Sequence, residues 1–350
     1  MAKNKPSSKR ILSRVEISDT KLLFTALLCI AIVILLTLTA FYGIIMLIVS
    51  PPSLSFPTFN LGSENDDASY PFRQEIELKV SNDTETAEGI SGTSSQYSVL
   101  MKFDGNDGKI IASRRSSTVM YPASLTKIMT LIVVVENLKS EEALNDVLEI
   151  KIPRGEHSGF GFEIGEKLTV KDLIYASILQ SDGVACITLA EYIAGSESNF
   201  VKMMNDKARE LGLSEQTTLF QNCSGLHHQY HYSTAYDMAI ITAYAMKNTF
   251  CANVLTTLKY YPSDVFRPDE GCVFWSKLLH NHMNDGSLQP PTAKILGGKT
   301  GLTEPDTSGY CIATFANGKD GAKYVLITAK AESWATAVDD TIKIYKNHIK

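Results

Sequence analysis

A chain of 350 residues, 44% of them hydrophobic, is long enough for one sizeable globular domain with accessory segments. Its formal net charge of −5 argues against a nucleic-acid-binding protein, because binding to the phosphate backbone requires an excess of basic residues. The six cysteines include no closely spaced pair, so the sequence indicates neither a zinc ribbon nor a disulfide framework. One long-range disulfide among the five cysteines after Cys29 stays open.

The first predicted element is a membrane anchor at the N-terminus. Residues 1–21 carry six basic and two acidic side chains, and residues 22–50 carry no charged side chain at all. About 20 apolar residues cross the bilayer core as a helix, and the basic flank stays on the cytoplasmic side. We therefore predict a cytoplasmic tail at 1–21, a transmembrane helix at 22–49 in the lipid bilayer of the cell membrane, and an extracytoplasmic remainder. A cleaved signal peptide fits less well, because its apolar region spans only about 7–15 residues.

A stalk and a folded domain are predicted after the anchor. Residues 50–95 are rich in Pro, Ser, Asn, Asp, Glu and Thr and show little periodicity, which predicts a flexible spacer. The folded domain is predicted to span 96–350. It begins with a hairpin in which strands 98–103 and 109–112 flank a turn rich in Asp and Gly.

The rest of the folded domain is predicted to be helical in its middle part and to return to strands near its end. Apolar residues recur at helical spacing over 170–179, 184–193 and 200–211. Strands are predicted at 293–299, 310–316 and 324–329, and a final helix at 334–349. These elements predict an α+β fold, in which an antiparallel sheet from both chain ends carries an inserted helical subdomain. Such a sheet brings residues 124 and 299 together although 175 positions separate them.

The most informative motif pairs a serine with a lysine. Ser124 and Lys127 stand three residues apart at the start of an apolar helical run, so both side chains project from one helix face. A neutral lysine amine one turn away can remove the hydroxyl proton and activate the serine as a nucleophile. Burial and neighbouring cations favour the neutral amine by lowering the lysine pKa.

Two further motifs follow in chain order. Ser181 lies in the tight turn Leu179–Gln180–Ser181–Asp182–Gly183 between two predicted helices, where a second serine hydroxyl can be presented. Lys299, Thr300 and Gly301 end a predicted strand: the lysine offers a point charge for a carboxylate, the threonine offers a hydroxyl, and the glycine allows close approach of a substrate backbone. A serine–lysine pair, a serine in a turn and a K-T-G sequence are, in this order, the signature of penicillin-binding proteins and serine β-lactamases.

The sequence resembles the low-molecular-weight penicillin-binding D-alanyl-D-alanine carboxypeptidases over about residues 96–345. The similar segments lie in collinear order at 121–130, 165–173, 190–196, 200–205, 231–239 and 298–301. The resemblance implies a β-lactamase/penicillin-binding-protein-like fold and a serine enzyme that removes the terminal D-alanine from peptidoglycan peptides ending in D-Ala-D-Ala. It implies β-lactams as covalent inhibitors and no cofactor or metal. A β-lactamase fits less well, because no clear E-x-x-x-N segment follows the second motif.

The resemblance also implies a role for each motif residue. Ser124 would be the acylated nucleophile, Lys127 its general base, and Ser181 the relay of a proton to the departing D-alanine. Lys299 and Thr300, with Gly301 beside them, would hold the terminal carboxylate of the substrate. The backbone N–H groups of Ser124 and Leu302 would form the oxyanion hole.

One position departs from the pattern of the family. The second motif of the family usually ends in asparagine, whose amide helps to hold the substrate and the lysine, but this chain has Gly183 there. Either Asp182 or a water molecule would have to replace that contact.

Three alternatives are carried forward from the sequence. The first is an inactive or weakly active penicillin-binding protein, since the second motif is altered. The second is a zinc-dependent carboxypeptidase that uses His227 and His231, although these histidines lie in a glycine-containing loop without an H-E-x-x-H pattern. The third concerns the cellular role, because wall trimming and the glycopeptide-resistance (VanY-D-like) type would share all these residues.

Overall fold

The computed structural model describes residues 72–74, 76, 78–81, 87–283, 288–302 and 309–349. The predicted cytoplasmic tail and transmembrane helix lie outside these residues. Among the helices within these ranges, none is both long enough and apolar enough to cross a bilayer.

The described residues form a seven-stranded sheet that contains strands from both ends of the folded domain. Its strands are β1 (Lys79–Ser81), β2 (Glu88–Gly89), β3 (Tyr97–Asp104), β4 (Asp107–Arg114), β11 (Ala293–Leu302), β12 (Tyr310–Gly318) and β13 (Lys323–Ala331). The main path runs β1-β4-β3-β13-β12-β11, so the hairpin β3–β4 lies directly beside the C-terminal strands. The predicted hairpin and the three predicted C-terminal strands are confirmed.

The sheet is mixed, and in this respect the prediction of an antiparallel sheet is wrong. The five long strands pair antiparallel, but β1 and β2 both pair parallel with β4. Both short strands fall within 50–95, the segment predicted as a stalk. They add to an exposed sheet edge through backbone hydrogen bonds. β1 ends a run in which Ile76, Leu78 and Val80 alternate with charged residues and pack against the core, so the stalk prediction missed a strand signal there.

The helical subdomain is inserted between β4 and β11. Its helices are α1 (Lys127–Glu136), α2 (Val170–Leu179), α3 (Gly183–Ala194), α4 (Glu197–Glu210), α5 (Ala235–Lys247), α6 (Thr249–Thr256) and α7 (Lys277–Met283), and α8 (Trp334–His348) follows the last strand. Short 3₁₀ turns cover Ala123–Thr126 and Glu142–Asn145. Two-residue and three-residue strands pair outside the main sheet: β5 (Val119–Met120) with β8 (Ser233–Thr234), β6 (Val147–Glu149) with β7 (Lys167–Thr169), and β9 (Lys259–Tyr260) with β10 (Phe274–Trp275).

Both faces of the sheet are buried, each against a different set of helices. Side chains alternate along β3, so Val99 and Met101 join the core on the side of the helical subdomain while Leu100 joins a second core. The second core includes Ile344 and Tyr345 of α8. The sheet is therefore held between the inserted helices and the C-terminal helix, and its edge strand β11 is presented to the start of α1.

Candidate active site

Ser124 lies in the 3₁₀ turn Ala123–Thr126, which runs directly into α1. Pro122 precedes the turn, and Ala123 has a φ of 49°, in the left-handed region that residues other than glycine rarely occupy. The Ser124 side chain is 8% exposed. Backbone strain next to a nucleophile is typical of functional sites, where the surrounding packing maintains it.

The Lys127 amine lies within hydrogen-bond distance of the Ser124 hydroxyl. The separation between Lys127 Nζ and Ser124 Oγ is 2.9 Å, and Nζ also donates to the carbonyl oxygen of Ser224 at 2.5 Å. Burial lowers the pKa of Lys127 from its usual 10.5, because the charged ammonium loses its hydration there. When Lys127 is neutral, Ser224 orients the amine through one N–H and leaves the nitrogen lone pair available for the Ser124 proton.

Two glycines allow other segments to pack against the nucleophile turn. A Cβ at Gly225, whose φ is +78°, would lie 2.0 Å from the carbonyl oxygen of Ala123. A Cβ at Gly301 would lie 3.3 Å from both the Ala123 Cβ and the Leu125 nitrogen. Gly301 thus lets the K-T-G strand pack on the turn that carries Ser124, and its contact with substrate stays a prediction.

Ser181 is held in a strained turn between α2 and α3. Its φ is +56° and its side chain is 5% exposed. Lys299 Nζ donates to Ser181 Oγ at 2.8 Å and to the carbonyl oxygen of Thr300 at 2.7 Å. The structure therefore joins the second motif to the third by a direct hydrogen bond.

Asp182 stabilises this turn and does not stand in for the missing amide. Its carboxylate accepts hydrogen bonds from the backbone N–H of Ala185, as the N-cap of α3, and from that of Phe160, both at 2.8 Å. Burial raises the pKa of Asp182 while these N–H groups act in the opposite direction. Both carboxylate oxygens are engaged with the backbone, so the prediction that Asp182 replaces the asparagine contact is not supported by its hydrogen bonds.

Lys299 is a buried lysine with two other lysines, Lys127 and Lys277, nearby. It is 2% exposed, and burial, together with the charges of Lys127 and Lys277, holds its pKa well below 10.5. Thr300 beside it is 7% exposed. A bound carboxylate would reverse this shift, because an anion next to Lys299 favours the ammonium form and relieves the repulsion between the lysines.

A cavity of about 770 Å³ opens in front of Ser124 and Lys127. It is lined by Ser124, Lys127, Glu156, His157, Ser158, Gly183, Ser224, Gly225, Leu226, His227, Leu302 and Tyr310. Ser124, Lys127, Gly183 and Leu302 are the predicted site residues in this lining, whereas Ser181, Lys299, Thr300 and Gly301 are not part of it. The site therefore consists of a serine hydroxyl and a lysine amine at the cavity wall, with the second and third motifs packed next to them.

Comparison with known proteins agrees with this arrangement. The peptidase S11 family model, D-alanyl-D-alanine carboxypeptidase, matches residues 84–332. The chain belongs to this family. The D-alanyl-D-alanine carboxypeptidase DacF of Bacillus subtilis is 34% identical over 216 residues, which are 60% of this chain and 51% of DacF. DacC of Escherichia coli is 38% identical over 148 residues, which are 39% of this chain and 36% of DacC.

Solved structures support the fold of the S11 domain. Penicillin-binding protein 5 of Haemophilus influenzae superposes with a TM-score of 0.61 at 23% identity, covering 73% of this chain and 70% of that protein. Penicillin-binding protein D2 of Listeria monocytogenes, in its cefotaxime-bound form, superposes with a TM-score of 0.60 at 23% identity, covering 73% of this chain and 97% of the other. This chain spans about half the length of DacF and about a third of the length of DacC.

The histidine loop of this S11 domain is structural where it is buried. His231 Nδ1 accepts from the backbone N–H of Gln221 at 3.1 Å, and Nε2 lies 2.8 Å from Thr126 Oγ1. Burial, with the neighbouring His228 and His227, lowers the pKa of His231 to about 3, so its ring is neutral. Both of its nitrogens are engaged within the protein, and the described residues contain no group of three His, Cys, Asp or Glu side chains arranged to hold a metal ion. The zinc alternative based on His227 and His231 is therefore wrong.

Several residues of the site were not predicted from the sequence, among them Ser224 and His157. Ser224 holds the Lys127 amine through its backbone carbonyl, which any residue type provides, so no side-chain pattern reveals it. His157 lines the cavity from the turn-rich segment between β6 and β7, and its only sequence signal was a histidine in a loop. None of the five cysteines in the described ranges forms a disulfide, and four of them are buried.

Proposed function

We propose that this protein is a serine-type D-Ala-D-Ala carboxypeptidase that acts on peptidoglycan peptides through an acyl-enzyme on Ser124. The observation that carries the proposal is the 2.9 Å approach of Lys127 Nζ to Ser124 Oγ at the wall of a cavity, with burial lowering the pKa of the lysine. Membership in the S11 family supports the same reaction class.

Acylation is the first half of the proposed reaction. The neutral amine of Lys127 takes the hydroxyl proton while Ser124 Oγ attacks the carbonyl carbon of the penultimate D-alanine. The backbone N–H groups of Ser124 and Leu302 stabilise the resulting oxyanion. The peptide C–N bond then breaks, and the leaving D-alanine nitrogen takes the hydroxyl proton of Ser181, which lies 2.8 Å from Lys299 Nζ. The proton that Lys127 took from Ser124 restores the Ser181 hydroxyl, so Lys127 is neutral again. D-alanine and an ester on Ser124 are the products.

Deacylation completes the cycle with one water molecule. Lys127 takes a proton from the water, the hydroxyl attacks the ester carbon, and the bond to Ser124 Oγ breaks as the serine recovers a proton. The peptide leaves with one D-alanine fewer. Because each proton taken by Lys127 is returned, the enzyme ends the cycle in its starting state.

The lysine cluster supports recognition of a C-terminal carboxylate. Lys299 Nζ is buried beside Ser181 and Thr300, and the nearby Lys277 adds positive charge. A free terminal carboxylate brings the matching negative charge, whereas an internal peptide bond does not. We therefore propose cleavage at the peptide terminus, with β-lactams binding in the same place because they carry a carboxylate beside a reactive amide.

We further propose that the catalytic domain lies outside the cell membrane, held by residues 22–49. The absence of charged residues over 22–50 and the basic flank before it support this placement. For the cellular role we propose trimming of wall peptides. The glycopeptide-resistance type stays a prediction, and a neighbouring gene for a D-Ala-D-lactate ligase would favour it.

Two measurements on one preparation test the proposed reaction. Intact-protein mass spectrometry after incubation with benzylpenicillin should show a covalent adduct that is absent in Ser124→Ala. The same preparation should release D-alanine from a peptide ending in D-Ala-D-Ala. An adduct without D-alanine release would favour the inactive penicillin-binding alternative, and the absence of both would contradict the proposal.

A further inference from the structure

The altered second motif has a consequence for the cavity wall. Gly183 takes the position where the family pattern has asparagine, and its backbone lies outside the left-handed region, so no conformational reason requires a glycine there. The space is nevertheless closed. A Cβ at position 183 would lie 2.8 Å from the Cβ of His157 and 2.9 Å from its Nδ1.

The segment around His157 is attached to the same turn by several hydrogen bonds. The N–H of Gly183 donates to the carbonyl oxygen of Ser158 at 2.9 Å, and Ser158 Oγ donates to the carbonyl oxygen of Ser181 at 3.0 Å. The N–H of Phe160 donates to Asp182 Oδ2 at 2.8 Å. The loop and the second motif thus form one unit, and the imidazole of His157 is held over Gly183.

The loop also fixes His157 from its other side. The N–H of His157 donates to the carbonyl oxygen of Arg154 at 2.9 Å, and Arg154 Nε donates to the carbonyl oxygen of His157 at 3.1 Å. The His157 side chain is half-buried and lines the cavity together with Ser124 and Lys127. An apolar side chain could fill the space over Gly183 equally well, whereas His157 presents a polar ring at the cavity surface.

A neutral imidazole matches a carboxamide in hydrogen-bonding capacity. Each offers an N–H donor and an acceptor on adjacent sides of a small planar group. We propose that His157 is a substrate-binding residue that replaces the missing asparagine of the second motif and hydrogen-bonds the peptide group of the substrate beside the scissile bond. This role rests on the proposed function, because the substrate is the peptide or β-lactam that acylates Ser124.

The proposal predicts an exchange between positions 157 and 183. Removing the imidazole in His157→Ala removes one hydrogen bond to substrate, so the kcat/KM for D-alanine release and the rate of acylation by benzylpenicillin should fall about 3- to 10-fold. His157→Gln keeps a donor and an acceptor and should stay within about 3-fold of the wild type. Gly183→Asn alone should lower both rates, because the new side chain collides with His157. The double variant His157→Ala/Gly183→Asn should recover most of the loss, since the asparagine then has space.

His228→Ala serves as the matched control. His228 is an exposed histidine outside the cavity lining, and its loss should leave both rates unchanged. Thermal unfolding of every variant separates loss of fold from loss of function. Where His157→Ala fails to fold, His157→Leu replaces it, because leucine fills the space without hydrogen bonding and the comparison with His157→Gln is preserved.

The outcomes separate this inference from the proposed function. A wild-type protein that acylates normally, with His157→Ala or His157→Leu equal to it, overturns the role of His157 and leaves the proposed function standing. A double variant no better than either single variant also overturns the exchange. A wild-type protein that neither forms an adduct nor releases D-alanine overturns the proposed function and the role of His157 with it.

Discussion

In the proposed mechanism, the reactivity of Ser124 depends on the charge state of one neighbouring side chain. Lys127 can act as a base only when its amine is neutral, and burial of the ammonium lowers its pKa in the folded protein. The 2.5 Å contact to the Ser224 carbonyl directs one N–H away from the serine. For the proposed reaction, the burial that keeps the Lys127 amine neutral therefore matters as much as the presence of the serine.

The role of Lys127 as general base is tested by removing its amine and by varying the pH. Lys127→Ala should lower the rate of acylation by benzylpenicillin by about 100-fold or more, since general base catalysis contributes about 10² to 10⁴. In the wild type, the rate should rise with pH as the amine loses its proton, with an inflection below the ordinary lysine value of 10.5. Acylation rates measured with a fluorescent penicillin across pH would show it. A rate independent of pH would contradict a lysine base.

His231 links stability to pH. In the folded protein its pKa is lowered to about 3, mainly by burial, whereas in the unfolded chain it titrates near 6.5. Below pH 6.5 the unfolded state therefore binds more protons, and the free energy of unfolding falls as pH decreases toward 3. The loss from this residue at pH 5 is about 2 kcal/mol. Urea unfolding at pH 7 and pH 5 should show that His231→Gln has a smaller pH dependence by that amount. An unchanged difference between the two pH values would contradict this.

At the scale of elements, the site depends on the contact between segments that are far apart in the chain. The loop at Gly225 and the strand β11 at Gly301 both pack on the 3₁₀ turn Ala123–Thr126. At Gly225 the backbone lies closer to the turn than any side chain permits, and at Gly301 a Cβ would be a tight contact. The position of Ser124 is therefore set by its neighbours as well as by α1.

Two glycines with nearly the same backbone conformation allow this packing to be tested. Gly225 has a φ of +78° and no room for a Cβ, while Gly212 has a φ of +77° and no atom within 4 Å of that position. Gly212→Ala should cost about 1 kcal/mol of stability from its conformation alone. Gly225→Ala should cost more, and should also lower the acylation rate at least about 10-fold, because the Ala123 carbonyl must move. Equal effects of the two variants on stability and acylation would show that the contact does not position Ser124.

For the whole molecule, the sheet is the part that assembles the site. Its strands come from both ends of the folded domain, with the helical subdomain inserted between them. The sheet thereby places the K-T-G strand against the nucleophile turn and closes both hydrophobic cores at the same time. Catalytic geometry and folding of the domain are consequently linked.

The predicted anchor is tested on the full-length protein. The protein should sediment with membranes, and residues 1–21 should be protected from protease added outside intact cells, because the uncharged run 22–50 keeps them on the cytoplasmic side. Deletion of residues 1–50 should release the domain into the soluble fraction. A mature protein that begins near residue 51 would instead support a cleaved signal peptide.

Local patterns in the sequence determined much of this protein. The spacing of three between Ser124 and Lys127 places both side chains on one helical turn, and the structure brings them to 2.9 Å. The hairpin β3–β4, the helix Val170–Leu179 and the C-terminal strands follow from periodicity over a few residues. Such features need no knowledge of distant parts of the chain.

Tertiary structure alone decided the contacts between loops and edges. The Ser224 carbonyl on Lys127, the His157 ring over Gly183 and the parallel strands Lys79–Ser81 and Glu88–Gly89 all join segments that no periodic pattern connects. Backbone groups carry the first and last of these contacts, and backbone groups are the same in every residue. A sequence therefore reveals which side chains are available for catalysis, while the folded chain decides which backbone groups and loops meet them.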